Sequence, residues 1–195
     1  YNGDDGTLST ADVYDPQSDQ WQPLAQMASA RTELAAAAAG GKIYAIGGED
    51  SDEGDVMATV EAFDPLLGAW AEVASMSVVR KHHAAAVIDG KIYVIGGDDA
   101  DGNYLDTVEA YDPQADSWQQ VASMPEARYS HAAISMGGKI YVTGGCGSGD
   151  FTNTVIVFDP QANTWTELAS MGSARVDHAS AAIGGKLYVF GGFSI

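Results

Sequence analysis

The stretch GKIYVIGG at residues 90–97 decides how this chain folds. It recurs as GKIYAIGG at 41–48, GKIYVTGG at 138–145 and GKLYVFGG at 185–192, so that successive copies begin 49, 48 and 47 residues apart. A period of about fifty residues is typical of repeat architectures, in which each copy is one supersecondary unit. The 195 residues are therefore predicted to contain four copies of one unit rather than independent domains.

Each copy contains four short runs that are rich in Val, Ile and Tyr and too short for helices. A two-residue hairpin signal such as Asp89-Gly90 separates the first run from the second. An Asp-Pro step such as Asp112-Pro113 begins the connection from the third run to the fourth. The pattern predicts a four-stranded antiparallel meander. In the second copy its strands are A (84–88), B (91–95), C (107–111) and D (117–122).

Such a sheet cannot bury both of its faces alone, and radial stacking of the copies buries them. Strand A is rich in alanine in every copy, as expected for the innermost and most crowded strand. A tryptophan in strand D of each copy has the bulk to fill the wider space between the outer strands. These tryptophans are Trp21, Trp70, Trp118 and Trp165.

The landmarks of the repeat keep a constant spacing. In the third copy Asp112 is followed by Trp118 after six residues, Met124 after six more and Arg128 after a further four, and the glycine pair comes next. This combination resembles the kelch repeat, and the resemblance covers nearly the whole chain. It implies an all-β fold, namely a β-propeller of four kelch-type four-stranded antiparallel blades around a central channel.

The two chain ends carry complementary strands. The C-terminal residues repeat strands A and B, whereas the N-terminal residues repeat strands C and D. We expect both ends to complete one blade together, because separate ends would leave two strand edges bare. Three assemblies remain open: a four-bladed ring closed by one chain, an eight-bladed ring formed by a homodimer, and an excerpt of a longer kelch array. The expected blades are 31–76, 80–124, 128–171, and 179–195 together with 1–28.

Composition limits the classes of partner. Nine basic residues stand against 27 acidic ones, for a formal net charge of −18. This charge repels the phosphates of nucleic acids and anionic membrane surfaces. No apolar run approaches the roughly 18 residues that a membrane helix needs. The single cysteine, Cys146, cannot form an intrachain disulfide and therefore indicates no compartment. We expect neither a nucleic acid nor a membrane as partner.

Residues that depart from the repeat concentrate in the B–C and D–A connections, which lie at the same end of every blade. We call this end the loop face and the opposite end the hairpin face. Loops held by a rigid scaffold commonly carry binding residues, and aromatic residues and arginine are enriched in interfaces. We predict that the loop face binds a protein or peptide, with no catalysis and no cofactor. The candidate contacts are Arg31, Arg80, Lys81, His82, Tyr104, Arg128, Tyr129, Ser130, Phe151 and Arg175.

The four repeat arginines among these candidates have a structural alternative, in which they pair with acidic residues of the long loops. In kelch substrate adaptors, which this chain resembles, arginines in this loop hold acidic peptides. The loop acids favour a basic or mixed-charge ligand at least as strongly. Loop acids suited to such pairs are Glu49, Asp50, Asp98 and Asp150.

Metal binding and sugar chemistry are the remaining alternatives. The acidic loops at 49–55 and 98–106 have part of the composition of a calcium site. Three histidines, His83, His131 and His178, occupy equivalent positions near the axis, where imidazoles can bind a metal. We predict neither a metal site nor catalytic residues. Because some propeller enzymes that resemble this fold act on sugars, a carbohydrate-binding or sugar-converting protein is the competing class.

Overall fold

The computed structural model describes residues 6–50 and 52–194. Within these residues the structure is built from β-strands and turns, and no helix is long and apolar enough to cross a membrane. The strands are β1 (Asp12–Asp15), β2 (Gln20–Pro23), β3 (Ala35–Ala39), β4 (Lys42–Ile46), β5 (Glu49–Asp50), β6 (Asp55–Val56), β7 (Val60–Asp64), β8 (Ala69–Val73), β9 (Ala84–Ile88), β10 (Lys91–Ile95), β11 (Val108–Asp112), β12 (Ser117–Val121), β13 (Ala132–Met136), β14 (Lys139–Thr143), β15 (Cys146–Gly147), β16 (Asp150–Phe151), β17 (Val155–Asp159), β18 (Thr164–Leu168), β19 (Ala179–Ile183) and β20 (Lys186–Phe190).

Three four-stranded antiparallel sheets repeat the predicted meander. We call them blade 1 (β3-β4-β7-β8), blade 2 (β9-β10-β11-β12) and blade 3 (β13-β14-β17-β18). The strands β1 and β2 form a two-stranded sheet, the N-terminal half-blade, and β19 and β20 form another, the C-terminal half-blade. Strands A and B of the second copy have the predicted bounds, and the bounds of C and D differ from prediction by one residue.

The turns form for the reasons that the sequence indicates. Asp89 and Gly90 adopt φ angles of 50° and 78°, which the tight hairpin between β9 and β10 requires. At the other hairpin of this blade, Oδ1 of Asp112 accepts a hydrogen bond from the backbone N–H of Gln114 at 3.0 Å. The ammonium group of Lys91 lies 3.2 Å from the second oxygen of Asp112, so one carboxylate joins both hairpins of the blade.

The blades stack through their faces in a propeller-like arc. Strand β9 packs between β3 and β13, and β19 packs on the far side of β13, so the alanine-rich strands are innermost. Farther out, Tyr44 of blade 1 meets Tyr111 of blade 2 with their ring centroids 5.6 Å apart. The indole N–H of Trp118 donates to the carbonyl oxygen of Ala74 at 2.7 Å. The predicted role of the tryptophans between neighbouring outer strands is thus confirmed for Trp118.

The predicted completion of one blade by both chain ends is not confirmed. The two half-blades are separate sheets, and their outward strands share no backbone ladder. The all-β fold and its antiparallel four-stranded sheets agree with prediction. The closure differs because local sequence determines how a hairpin pairs, whereas ring closure depends on the summed angles between all the stacked sheets.

Glycine is required where the backbone after strand B passes close to the D–A connection. At Gly97, which has a φ of 94°, an added Cβ would overlap the carbonyl oxygen of Lys81 and lie 2.8 Å from Cβ of His83. At Gly90, which has a φ of 78°, an added Cβ would meet nothing within 4 Å. Gly90→Ala therefore introduces backbone strain alone, whereas Gly97→Ala introduces strain and a steric clash with backbone.

We expect Gly90→Ala to lower the free energy of unfolding by about 1–2 kcal/mol, the usual cost of placing a Cβ in the left-handed region. Gly97→Ala should cost clearly more than Gly90→Ala. Urea denaturation of both variants and the parent measures the difference. Equal losses would show that the backbone around Gly97 relaxes without cost, contrary to this expectation.

Candidate functional site

A chain of backbone hydrogen bonds fixes the loop face near the innermost strands. Glu33, His82, Ser130 and Asp177 precede strand A of successive copies, and all have φ angles between 50° and 54°. The N–H of His82 donates to the carbonyl of Glu33 at 3.1 Å, and the N–H of Ser130 donates to the carbonyl of His82 at 3.0 Å. The N–H of Asp177 continues the chain to Ser130 at 3.1 Å. These bonds connect neighbouring copies and hold their side chains at a fixed spacing.

Within each blade the D–A loop is bonded to the B–C loop. Lys81 and Asp98 exchange two backbone hydrogen bonds of 3.0 Å, and Tyr129 and Cys146 exchange bonds of 3.0 and 2.9 Å. The two connections of one blade therefore form a single rigid edge. Side chains at positions 81, 82 and 129 stand on a scaffold instead of free loops, as a binding surface needs.

The repeat arginines of the three complete blades point inward. Arg80 is fully buried, and its Nη1 donates to the carbonyl oxygen of Gly96 at 2.6 Å. Its Nη2 lies 2.8 Å from Oε1 of Glu109, which is equally buried. Arg31 repeats the arrangement with Glu61 at 2.9 Å. The partners are thus acids of strand C rather than the predicted loop acids, and buried groups are not available to a ligand at the surface.

The other two arginines keep part of this arrangement. Buried Arg128 donates to the carbonyl of Gly144 and to the hydroxyl of Thr154, both at 3.0 Å. Ile156 occupies the position that Glu109 has in blade 2. Half-buried Arg175 donates to the carbonyl of Gly191 at 2.7 Å. Burial thus excludes three of the four repeat arginines from the surface that the loop face offers to a ligand.

Lys81 and His82 lie within a cluster of carboxylates on the loop face. The ammonium group of Lys81 lies 2.5 Å from Oε2 of Glu49 and 3.8 Å from Oε2 of Glu33. The imidazole of His82 lies between two acids, with Nδ1 2.8 Å from Asp98 and Nε2 3.1 Å from Glu33. The hydrogen bond to Asp98 and the charge of Glu33 raise the pKa of His82 despite its partial burial. The cluster joins blades 1 and 2 at their loop ends.

An aromatic cluster adjoins the ionic one. The rings of Tyr104 and Tyr129 are 4.7 Å apart between centroids, and Tyr129 lies 5.7 Å from the imidazole of His82. Tyr104 is 38% exposed, so one ring of the pair faces solvent. A hydrogen bond with Cys146 and partial burial raise the pKa of Tyr129, so that its hydroxyl stays protonated at neutral pH. The cluster presents a rigid aromatic surface with polar tips, which suits recognition.

The two remaining predicted contacts, Ser130 and Phe151, lie in different places. Ser130 is half-buried beside Tyr129 and takes part in the backbone chain between blades. Phe151 lies on the next B–C loop, where its ring meets that of Phe193 at 5.8 Å in an edge-to-face arrangement. Phe193 is 62% exposed. The structure thus brings Lys81, His82, Tyr104 and Tyr129 together and places Phe151 in a second, separate aromatic pair.

Four members of this site were not predicted as ligand contacts, and one of them is Glu49 beside Lys81. Glu33 and Asp98 hold the His82 ring, and Cys146 contacts Tyr129. Asp98 and Cys146 directly follow the glycine pairs, and Glu33 occupies the repeat position of His82. Alignment of the four copies would have shown that Glu33 and His82 occupy equivalent positions in neighbouring copies. Only the angle between the blades determines that their side chains touch.

The geometry gives little support to the metal-binding alternatives. Among residues 6–50 and 52–194, no group of three or more His, Cys, Asp or Glu side chains is placed to hold a metal ion. Oδ1 of Asp99 accepts 2.9 Å hydrogen bonds from the backbone N–H groups of Asp101 and Asn103. At the start of the acidic loop at 98–106, the carboxylate of Asp99 thus closes a turn of its own backbone.

Comparison with known proteins agrees with this architecture. The model of the KLHDC2/KLHL20/DRC7 Kelch-repeats domain matches residues 33–195, and the Kelch motif matches residues 1–28. No curated protein matches the chain significantly. Among solved structures, the structure of YjhT is similar with a TM-score of 0.83 and 18% sequence identity. The match covers 96% of this chain and 73% of that one, and at this identity it shows the fold alone.

Proposed function

The chain belongs to the kelch-repeat family, and from this premise we propose that it is a non-catalytic module that holds a protein or peptide on its loop face. Kelch repeats are generally protein-interaction modules. The observation that carries the proposal is the rigid cluster of Lys81, His82, Tyr104 and Tyr129, which gathers charged and aromatic residues outside the repeat pattern. Aromatic rings on a fixed scaffold lose little entropy on binding, which favours affinity.

The charges of the cluster favour a ligand with basic and apolar side chains. Three carboxylates, Glu33, Glu49 and Asp98, surround the ammonium group of Lys81 and the imidazole of His82. Glu33 is the most accessible of the three, with 34% of its side chain exposed. A basic side chain of the ligand would pair with Glu33, and a second, apolar or guanidinium group would stack on the exposed face of Tyr104. A purely acidic peptide would instead meet the repulsion of a chain with a net charge of −18.

A panel of short peptides of equal length tests this proposal. The peptides differ in their content of arginine, glutamate and tyrosine, and fluorescence anisotropy measures their affinity for the intact chain. We expect the peptides with arginine and tyrosine to bind most tightly. We expect Tyr104→Ala to weaken that binding about tenfold or more, as is usual for a central aromatic contact.

The matched control lies on the hairpin face. Lys91 is half-exposed, and like Lys81 it is paired with a carboxylate, that of Asp112. Lys91→Ala should leave the peptide affinity unchanged. A loss with Lys91→Ala but not with Tyr104→Ala would assign binding to the hairpin face and reject the proposal. A glycan array run in parallel tests the sugar-binding alternative.

A further inference from the structure

A cavity of about 390 Å³ opens on the hairpin face where blades 1 and 2 meet. Tyr44 of blade 1 lines it together with Tyr111 and Asp116 of blade 2, and Val73 and Pro113 add apolar surface. Both sheets that enclose it are complete four-stranded blades. A concave site with apolar walls and a few convergent polar groups is the usual form of a small-molecule site.

Tyr44 brings an unsatisfied polar group to this cavity. Only 3% of the residue is exposed, yet its hydroxyl makes no hydrogen bond with any described residue. Burial and the charge of Asp116 raise the pKa of Tyr44, so the hydroxyl keeps its proton at neutral pH and can both donate and accept. A polar group on so deeply buried a side chain finds its partner in what fills the cavity.

Asp116 brings a fixed carboxylate with one uncommitted oxygen. Its Oδ1 accepts hydrogen bonds from the backbone N–H of Ala74 at 2.9 Å and from the hydroxyl of Tyr111 at 2.7 Å. Its Oδ2 accepts none from the described residues. The two bonds lower the pKa of Asp116, so the group is ionised at neutral pH. They also hold the carboxylate in place, which leaves Oδ2 for a ligand.

The charge of the wall favours a cation. Lys42 also lines the cavity, but its ammonium group lies 3.4 Å from the carboxylate of Asp64. Asp116 forms no ion pair with any described residue, and the whole chain has a net charge of −18. An anion would therefore be repelled, whereas an ammonium group gains a charge-assisted hydrogen bond to Asp116.

The junction of blades 2 and 3 shows which of these groups the fold itself does not need. There Tyr93 meets Phe158, with ring centroids 6.0 Å apart, in place of a second tyrosine. Asn163 stands at the repeat position of Asp116, and both accept a backbone N–H of the neighbouring blade, at 2.8 and 2.9 Å. An amide oxygen is thus sufficient for the structural bond, and the charge of Asp116 is left without a structural role.

We propose that this cavity binds a small alkylamine in its ammonium form. The ammonium group donates to Oδ2 of Asp116 and to the hydroxyl oxygen of Tyr44, because these two groups line one cavity and each lacks a protein partner there. The alkyl stem packs on Val73 and Pro113. This site lies on the opposite face from the cluster proposed to bind peptides, and it does not depend on that function.

Three probes with the same alkyl stem test the proposal: n-butylammonium, 1-butanol and butyrate. Each is titrated into the intact chain at pH 7 and constant moderate salt, and backbone amide NMR shifts report where it binds. Butylammonium should cause saturable shifts at Ala74, Gln114 and Asp116, with a Kd of about millimolar for so small a ligand. The alcohol and the carboxylate should bind at least about tenfold more weakly. Equal or tighter binding of either one overturns the proposal, as do butylammonium shifts that do not saturate or that spread evenly over the acidic loops.

Two conservative variants locate the site without disturbing the fold. Asp116→Asn keeps the structural acceptor, as Asn163 shows, and Tyr44→Phe removes only an unbonded hydroxyl. Each should weaken butylammonium binding at least about fivefold, the usual effect of one lost hydrogen bond. The matched control is Tyr93→Phe, which removes the equivalent hydroxyl at the other junction and should leave the affinity unchanged. Binding that survives both Asp116→Asn and Tyr44→Phe overturns the proposal, whatever the peptide panel shows for the loop face.

Discussion

Glu109→Ala is expected to destabilise the protein by about 3–5 kcal/mol, because it leaves the guanidinium of Arg80 buried without its counter-charge. Both side chains are at most 2% exposed, and the carboxylate also accepts a 2.9 Å hydrogen bond from the backbone N–H of Ser77. Glu109→Ala thus removes the partner of the buried Arg80 guanidinium and the acceptor of the Ser77 backbone N–H. Chemical denaturation at neutral pH measures the loss.

Glu126 provides the matched control for this prediction. Its carboxylate lies 3.6 Å from Nη2 of Arg128, but 46% of its side chain is exposed. Water can replace such a partner, so Glu126→Ala should cost no more than about 1 kcal/mol. Similar losses for Glu109→Ala and Glu126→Ala would contradict the assignment of Arg80 and Glu109 as a buried structural pair.

Two neighbouring histidines should change the stability in opposite directions with pH. Burial, and to a lesser extent the charge of Arg80, lowers the pKa of His83 to about 3, so the folded protein resists protonating it. The unfolded chain takes up that proton below its ordinary pKa of 6.5. The free energy of unfolding therefore falls as the pH drops from 6.5 towards 3, by up to about 1.4 kcal/mol per pH unit for this histidine.

His83→Leu should remove that loss. The equivalent position of the first copy is Leu34, so leucine is compatible with this place in the repeat. Urea denaturation at a series of pH values should show the variant gaining on the parent as the pH falls below 6.5. Carboxylate titrations affect the variant and the parent alike, so they cancel in the difference. A difference that does not change with pH would contradict the buried, neutral state of His83.

His82 is the control of opposite sign. Its folded pKa is raised by Asp98 and Glu33, so its stabilisation is fully present below the unfolded pKa of 6.5. That stabilisation is lost as the pH rises through the folded value. His82→Ala should therefore cost more stability at pH below 6.5 than in alkaline solution. The stabilities of the two histidine variants thus depend on pH in opposite ways, because burial lowers the pKa of His83 and carboxylate partners raise that of His82.

Much of the fold could be predicted from short-range patterns. In blade 2 the Asp89-Gly90 hairpin and the Asp112-Pro113 step determine the strand order, because such turns need few residues and little tertiary support, and the other copies have turns at the same repeat positions. The candidate site was predicted less completely. Subtraction of the repeat identified Lys81, His82, Tyr104 and Tyr129 as unusual residues. The repeat arginine Arg80 was nevertheless kept among the candidate contacts, and only the structure shows that it is buried.

The amino-acid sequence by itself determined the strands, the turns and the fourfold repetition, since each depends on residues that are neighbours along the chain. The tertiary structure decided which side chains face water and which lie between blades. Arg80 and Lys81 are adjacent in the sequence, yet one is buried against Glu109 and the other meets Glu49 at the loop face. The physical reason is that burial and ion pairing depend on the angle at which one sheet stacks on the next.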